Sequence, residues 1–194
     1  MEKFSTHHWP VVITFGSLEL RPLRLRDRRQ WNRVRNTNLQ WLKPWEATLP
    51  RIPGEDHGIN LPSYFHMMST YNREGRAQRS ISLAIWFEGR LVGQISMGGI
   101  IFGALRGAHI GYWIDQAYSN RGLTTQAVDL LTEYGFSSLL LHRIEINLRP
   151  ENAASRKVAE KAGYRLEGER PRYLHIDGQW RDHLCFVREN PRIS

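Results

Sequence analysis

The 194-residue sequence predicts a single α/β domain, and three of its features lead to that prediction. The length fits one domain with a sizeable core, so residues 1–194 are expected to fold together. An apolar share of 41% and a charged share of 24% are ordinary for a globular protein. The pattern over residues 108–148 indicates strand, helix, strand, a βαβ unit that normally places its two strands parallel in one sheet.

The beginning of the chain is predicted to hold an extended segment, a helix and a loop. The extended segment covers residues 11–23 and is interrupted at Gly16-Ser17. Asp27 stands where a helix cap belongs, ahead of a helical pattern over residues 28–36. Prolines interrupt residues 39–58, which indicates a structured loop with short turns.

A second helix and a hairpin are predicted next. The helix covers residues 61–75, and its apolar stripe is assigned to the core. The stripe consists of Tyr64, Met67, Met68 and Tyr71. Alternating apolar residues over 80–100 predict the hairpin, with its turn at the tripeptide EGR. Gly98 and Gly99 weaken its second strand and predict a bend or bulge there.

The remaining half predicts the βαβ unit followed by a helix and a closing hairpin. Strands are expected over residues 108–115 and 142–148, joined by a helix whose apolar residues recur at helical spacing. A short helix is expected within residues 152–163. Asp177 and Gly178 form a strong two-residue turn signal, so the chain is predicted to end in a hairpin around them.

Composition limits the classes of partner. The net charge of +8 favours anionic partners such as nucleotide phosphates, RNA or acidic surfaces, although scattered basic residues also suit a solvated surface. The single cysteine, Cys185, has apolar neighbours and is assigned to a buried strand. No Cys/His spacing suggests a metal site, so none is expected. Without a long apolar run or a secretory pattern at the N-terminus, no membrane span and a cytoplasmic location are expected.

The stretch AYSNRGLTTQAVDLLTEYGF joins a polar loop to the helix of the βαβ unit. The first N–H groups of a helix lack internal partners, so residues 119–125 place several donors around one point. Gly122 allows close approach of a phosphate, and Arg121 adds charge. The loop has neither the Walker nor the dinucleotide pattern. The alternatives at this point are an anion site and an ordinary turn.

This loop, the preceding HIGYWI and the following RPENAASRKVAEKAGYRLEG resemble the GNAT superfamily of N-acetyltransferases. That superfamily holds the acetyl-CoA pyrophosphate with a Q/R-x-x-G-x-G/A loop. The equivalent residues here are Ser119, Asn120, Arg121, Gly122, Leu123 and Thr124. Only Gly122 matches strictly, because Ser119 and Thr124 depart from the pattern. The segments WLKPWE and YLHIDGQWRDH are more specific and are similar to RimJ-type ribosomal-protein-alanine N-acetyltransferases, and the resemblance covers residues 18–187.

The resemblance implies the GNAT fold, which has a mixed, mostly antiparallel central sheet with a splayed parallel strand pair and flanking helices. It also implies acetyl-CoA as the cosubstrate. The pantetheine arm would enter the splay and pair with the main chain of Tyr112, Trp113 and Ile114. The pyrophosphate would meet the loop and the first helical turn, including Thr125. A plain core strand is the simpler interpretation of residues 112–114, and both can hold together.

The resemblance also implies roles after the second strand of the unit. Asn152 stands at a helix cap, which alone explains it, and an asparagine here also touches the cofactor in the superfamily. Ser155 would donate a proton to the CoA thiolate, as in RimJ/RimL-type enzymes; a solvated first-turn serine is the alternative. Many members use a tyrosine four residues further on, where this chain has Ala159.

The base that would accept a proton from the amine has two candidates. Glu46 would accept from, or orient, the incoming ammonium, unless it is only an exposed loop carboxylate. Glu145, on a strand lining the cleft, is the second candidate and has a structural ion pair as its alternative. An α-amino group has a pKa of about 7.7–8.0, against about 10.4 for lysine, so an N-terminal amine needs less help from a base.

The implied function is therefore transfer of an acetyl group from acetyl-CoA to a protein N-terminal amine. The implied acceptor is the N-terminal alanine of a ribosomal protein, and the basic surface could assist association with the ribosome. Two alternatives stay open: a GNAT enzyme acting on a small-molecule amine, and a non-catalytic basic module that binds RNA or protein. The sequence does not predict an oligomeric state.

Overall fold

A single mixed sheet forms the centre of the structure, a computed structural model that describes residues 3–4, 9–53 and 63–193. Within these residues the strands are β1 (Lys3–Phe4), β2 (Ile13–Phe15), β3 (Leu18–Arg21), β4 (Ile81–Phe87), β5 (Arg90–Ile101), β6 (Gly107–Ile114), β7 (Arg143–Leu148), β8 (Arg165–Ile176) and β9 (Gln179–Glu189). Their order in the sheet is β1-β2-β3-β4-β5-β6-β7-β9-β8. Every described pairing is antiparallel except β6 with β7, which confirms the predicted fold class.

Helices cover both faces of this sheet. They are α1 (Arg28–Thr37), α2 (Leu39–Leu42), α3 (Tyr64–Arg76), α4 (Leu123–Ser137) and α5 (Ala153–Lys161). Alternating residues of β4 show the division, since Leu83 and Ile85 belong to the larger core with α4 and α5. Ala84 and Trp86 belong to a smaller core with α1 and α3. Throughout the described part of the chain, no helix is long and apolar enough to cross a membrane.

The predicted second helix is confirmed in its described part, with residues 61 and 62 lying outside that part. Ser63 caps it, because its hydroxyl accepts a hydrogen bond from the N–H of His66 at 3.2 Å. Tyr64 is buried in the smaller core, and the rest of the predicted stripe packs against it. The stripe therefore belongs to the core, as its spacing predicts.

The residue predicted to cap α1 has a different role. Asp27 precedes the helix, but its carboxylate accepts from Arg21 Nη1 at 2.7 Å and from the N–H of Arg24 at 2.8 Å. Burial acts to raise the pKa of Asp27, and the hydrogen bond from Arg21 holds that pKa below its ordinary value. The carboxylate is thus used in a buried ion pair, which competes with capping for the same oxygens.

The predicted loop over residues 39–58 starts with α2 and continues as a 3₁₀ turn, Lys43–Trp45; residues 54–58 lie outside the described residues. The predicted bend in β5 is confirmed, because the register against β6 shifts between Gly98 and Ile101. Cys185 is buried in β9, as expected. The β8–β9 hairpin turns at Asp177-Gly178, with φ angles of +46° and +78°.

Candidate active site

A gap between β6 and β7 is the central feature of the candidate site. The parallel pairing consists of Gly107 with Arg143, Ala108 with Ile144, and His109 with Glu145. Beyond these pairs β6 runs on to Ile114 and β7 to Leu148 without further pairing between them. The two strands are splayed where they end, and their facing edges are left without a sheet partner.

The main chain of β6 alternates between this gap and the neighbouring strand β5. The carbonyl of Gly111 accepts from Ser96 Oγ of β5, and the N–H of Asp115 donates to the Val92 carbonyl at 2.7 Å. Because successive residues of a strand point their polar groups to opposite edges, Tyr112 and Ile114 present theirs to the gap.

The sequence-based prediction groups Trp113 with these two residues, and the structure corrects that grouping. A Cβ atom added at Gly93 of β5 would lie 2.4 Å from the Trp113 carbonyl oxygen, so this carbonyl faces β5. Alternation accounts for the correction, since three consecutive residues cannot all face the same edge. The carbonyl of Ile114 already accepts from the indole N–H of Trp41 at 3.2 Å. The polar groups left for a ligand are those of Tyr112 and the N–H of Ile114.

The loop after β6 ends at an uncapped helix start. Gly122 occupies the N-cap position of α4 with φ of +77°, and no described side chain caps the helix. The N–H groups of Leu123, Thr124 and Thr125 consequently lack partners within the helix. A Cβ atom at Gly122 would have nothing within 4 Å, so the approach to these donors is open. This geometry suits an anion, as the helix dipole also favours negative charge.

The side chains of the loop have different surroundings. The exposed Arg121 guanidinium lies over the Tyr118 ring at 4.9 Å, and its position beside the helix start leaves it available to an anion. Ser119 donates its hydroxyl proton to the Gln116 carbonyl at 2.7 Å and thereby closes a turn of the loop. Asn120 has a φ of +60°, a conformation that asparagine tolerates better than most residues.

Sequence reasoning missed Asn38, which anchors this loop. It is only 2% exposed and follows the last residue of α1. Its Nδ2 donates to the Val34 carbonyl at 2.9 Å and to Asp115 Oδ1 at 3.0 Å, while its Oδ1 accepts from the N–H of Gln116 at 2.9 Å. No sequence pattern could have indicated this, because Asn38 and Asp115 lie 77 positions apart.

The start of α5 lies against the end of β6. Asn152 caps the helix, as predicted, with Oδ1 accepting from the N–H of Ser155 at 3.0 Å. The Tyr112 hydroxyl donates to the Ser155 carbonyl at 3.2 Å. Burial raises the pKa of Tyr112, which keeps this hydroxyl protonated. Ser155 is half-buried at the first turn, and Ala159 one turn later is fully buried in the core.

Glu46 lies where the 3₁₀ turn meets the β8–β9 hairpin. Its carboxylate forms an ion pair with Arg35 of α1, whose guanidinium lies over the Trp113 ring at 5.1 Å. Its carbonyl accepts from the N–H of Asp177 at 3.1 Å, and Ala47 forms a bridge with Ile176. The WLKPWE segment therefore docks on the hairpin turn, and Glu46 is neither free nor isolated.

Glu145, on β7, forms ion pairs with two arginines. Its oxygens lie 2.8 Å from Arg170 Nη1 and 3.0 Å from Arg143 Nη2. Burial acts to raise the pKa of Glu145, but hydrogen bonds from Arg170 and Arg143 hold that pKa below its ordinary value. A carboxylate stabilised in this way is a weak base, which favours the structural ion pair over the catalytic alternative.

Arg149 is a second residue that sequence reasoning missed. It follows β7 directly, and its Nη1 donates to the Pro44 carbonyl at 2.7 Å. Its guanidinium also lies over the Trp45 ring at 5.3 Å. Together with the bond from Trp41 to β6, this contact places the WLKPWE segment across the open end of the gap. The sequence feature that could have indicated this contact was the aromatic and proline content of the WLKPWE segment.

Three comparisons with known proteins agree with this geometry. The family model described as "Acetyltransferase (GNAT) domain" matches residues 17–165. The structure of Mycobacterium smegmatis RimJ in complex with CoA-disulfide matches with a TM-score of 0.85 and 35% identity, covering 96% of this chain and 90% of that one. Ribosomal protein uS5-alanine N-acetyltransferase of Escherichia coli is 28% identical over 93% of this chain and 92% of that protein.

A shorter match has higher identity. Probable N-acetyltransferase YjcK of Bacillus subtilis is 44% identical over 102 residues. This match covers 53% of the chain and 56% of YjcK, so the chain spans about half the length of that relative.

The chain belongs to the GNAT acetyltransferase family, because the family model matches well over half of it. Its splayed strands, uncapped helix start and similarity to RimJ define an acetyltransferase of the RimJ/RimL kind.

Proposed function

We propose that this protein transfers the acetyl group of acetyl-CoA to the α-amino group at a protein N-terminus, with an N-terminal alanine of a ribosomal protein as the first candidate acceptor. The observation that carries the proposal is similarity to M. smegmatis RimJ over 96% of the chain. The match to the uS5-alanine enzyme extends over a similar length and supports the same acceptor. Residues 1–194 would act as one domain.

The residues at the gap fit the chemical groups of acetyl-CoA. The donors at residues 122–125 and the Arg121 charge suit its diphosphate. The main-chain groups of Tyr112 and the N–H of Ile114 match an amide-bearing arm lying between the strands. Asn152 would contact the cosubstrate from the first turn of α5 while capping that helix. The diphosphate and the amide-bearing arm would thus meet main-chain groups that have no partner within the helix or the sheet.

Acetyl-CoA supplies the acetyl group as a thioester, and the protein must manage protons on both sides of the transfer. Ser155 would donate its hydroxyl proton to the departing thiolate, since it stands at the first turn of α5 beside Tyr112. Glu46 would orient the incoming ammonium while paired with Arg35. Glu145 would keep its structural ion pairs.

The charge of the protein supports a ribosomal acceptor. The net charge of +8 would draw the protein towards anionic RNA, and the reaction would then occur in the cytoplasm. Raising the ionic strength should slow acetylation of ribosome-bound protein more than acetylation of a free peptide. Equal salt dependence for both acceptors would remove the electrostatic part of the proposal.

A peptide-library reaction followed by mass spectrometry tests the function. Peptides that begin with each amino acid, peptides with blocked N-termini but free lysines, and small polyamines would be incubated with and without acetyl-CoA. We expect acetylation at the free α-amino groups, with alanine at the first position preferred. Acetylation confined to lysines or polyamines would contradict the proposal.

Two variants in the same assay test the assigned roles. Ser155→Ala should lower kcat about 100-fold with CoA affinity unchanged, because only proton donation is lost. Glu46→Gln should raise the KM for the peptide more than it lowers kcat, as expected for an orienting group. Wild-type rates in both variants would remove these residues from the mechanism.

A further inference from the structure

A buried histidine near the unpaired end of the gap has one unused ring nitrogen. His183, on β9, is only 3% exposed. Its Nδ1 lies 3.0 Å from the Arg181 carbonyl, and since a carbonyl only accepts, Nδ1 carries the proton. Nε2 is then a lone-pair acceptor, and it has no partner among the described residues. Nε2 is also not one of the fully buried side-chain atoms that lack a partner in the described residues, so it retains contact with solvent.

The strand register places His183 beside the end of β7. Leu184 pairs with Leu148, the last residue of β7, and Cys185 pairs with Asn147. Because alternate residues share a face, His183 lies on the same face as Asn147 and Glu145. It therefore lies beside the end of β7, at the unpaired end of the gap. The WLKPWE segment lies across this end.

Neighbouring groups hold the ring in place and favour its neutral form. Burial lowers the pKa of His183, and the charge of Arg149, just after β7, acts in the same direction. The hydrogen bond to the Arg181 carbonyl opposes this effect, as do the charges of Asp182 and Glu151, but the pKa stays below its ordinary value. From β8, the ring of Tyr173 makes an edge contact at 5.7 Å between centroids. A neutral, oriented imidazole is the form that a general base requires.

We propose that His183 is the catalytic base, with Nε2 accepting a proton from the amine that is to be acetylated. This inference rests on the proposed function. It supplies the proton acceptor for the amine, a role for which neither carboxylate is free. Glu46 and Glu145 are both ion-paired with arginines, whereas Nε2 of His183 has a free lone pair.

The protons balance in a simple sequence. The acceptor enters as an ammonium ion and gives one proton to Nε2 of His183. The neutral amine nitrogen then forms a bond with the thioester carbonyl carbon, and the carbon–sulfur bond breaks. A second proton leaves the nitrogen as the amide forms, and it replaces the proton that Ser155 gives to the thiolate. The net proton on His183 passes to solvent.

Two variants and a matched control test the assignment. His183→Gln keeps similar volume and can donate to the Arg181 carbonyl, while His183→Ala leaves space for free imidazole. His142→Gln is the control, because His142 lies before β7 at the paired end of the strands and only its main chain forms described hydrogen bonds. Each protein would be assayed from pH 6 to 9.5 with the best peptide of the wild-type enzyme, and CoA binding would be followed by calorimetry.

The expected result is a pH-dependent loss of rate. At pH 7, His183→Gln should lower kcat about 100-fold, with CoA affinity unchanged and the control near wild type. The loss should shrink to below about 10-fold at pH 9.5, since the amine, with a pKa of about 8, then loses its proton unaided. Added imidazole should restore part of the rate of His183→Ala.

Other results would overturn the assignment. A rate loss that is constant across pH, a parallel loss of CoA binding, or failure of both variants to fold would show a structural role. Wild-type rates in both variants would do the same. If the wild-type protein acetylates small amines and no peptide, the proposed function fails, while the pH-dependent ratio measured with that amine still decides the role of His183.

Discussion

Replacement of Asn38 by alanine should loosen the loop that leads into α4. The buried amide makes three hydrogen bonds, and it joins the end of α1 to Asp115 and Gln116. Removing it leaves the Val34 carbonyl without this donor and frees the turn that precedes Gly122. We expect a loss of about 2 kcal/mol in the free energy of unfolding, the usual cost of leaving buried polar groups without partners.

Urea unfolding and CoA titration measure the two consequences. The urea midpoint should fall with an unchanged slope, and the melting temperature should drop by about 4–8 °C for a chain of this size. CoA affinity should fall about three- to tenfold, because the unanchored loop must be reordered on binding. Asn36→Ala, an exposed change on the same helix, should stay within about 0.5 kcal/mol of wild type. If Asn38→Ala unfolds at the wild-type midpoint, the anchoring argument is refuted.

Three further substitutions test separate parts of the structure. Gly122→Ala should weaken CoA binding about fivefold in calorimetry, because alanine at this positive φ costs about 1 kcal/mol; unchanged affinity would contradict the need for glycine. Asn152→Ala should lower the free energy of unfolding by about 1 kcal/mol through loss of the α5 cap, while Asn152→Ser should retain most of it; equal melting curves would argue against the cap. Burial acts to raise the pKa of Glu145, but the hydrogen bond from Arg170 holds this pKa below its ordinary value. The ion pair therefore stabilises the fold above the unfolded-state pKa, and this stability is lost as pH falls through the folded-state pKa. Urea midpoints should therefore decline less between about pH 5 and pH 3 in Glu145→Gln than in wild type, and identical declines would refute this.

The pattern of strands and helices was predictable because it depends on local periodicity and turn chemistry. Asp177 and Gly178 turn the last hairpin as their residue types predict. Asn152 caps α5, since its side chain needs only the N–H three residues later. Asp27 shows the limit of local reasoning, because its carboxylate is taken by Arg21, a partner outside the helix.

Within the candidate site, the sequence by itself determined the uncapped glycine-led helix start and the strand beside it. Only the tertiary structure decided that β6 and β7 part after His109, since alternation predicts which face a side chain takes but not where pairing stops. It also decided that the carboxylates of Glu46 and Glu145 are paired, because their arginine partners come from other parts of the chain. The free nitrogen of His183 depends on the same long-range packing, which no short stretch of sequence encodes.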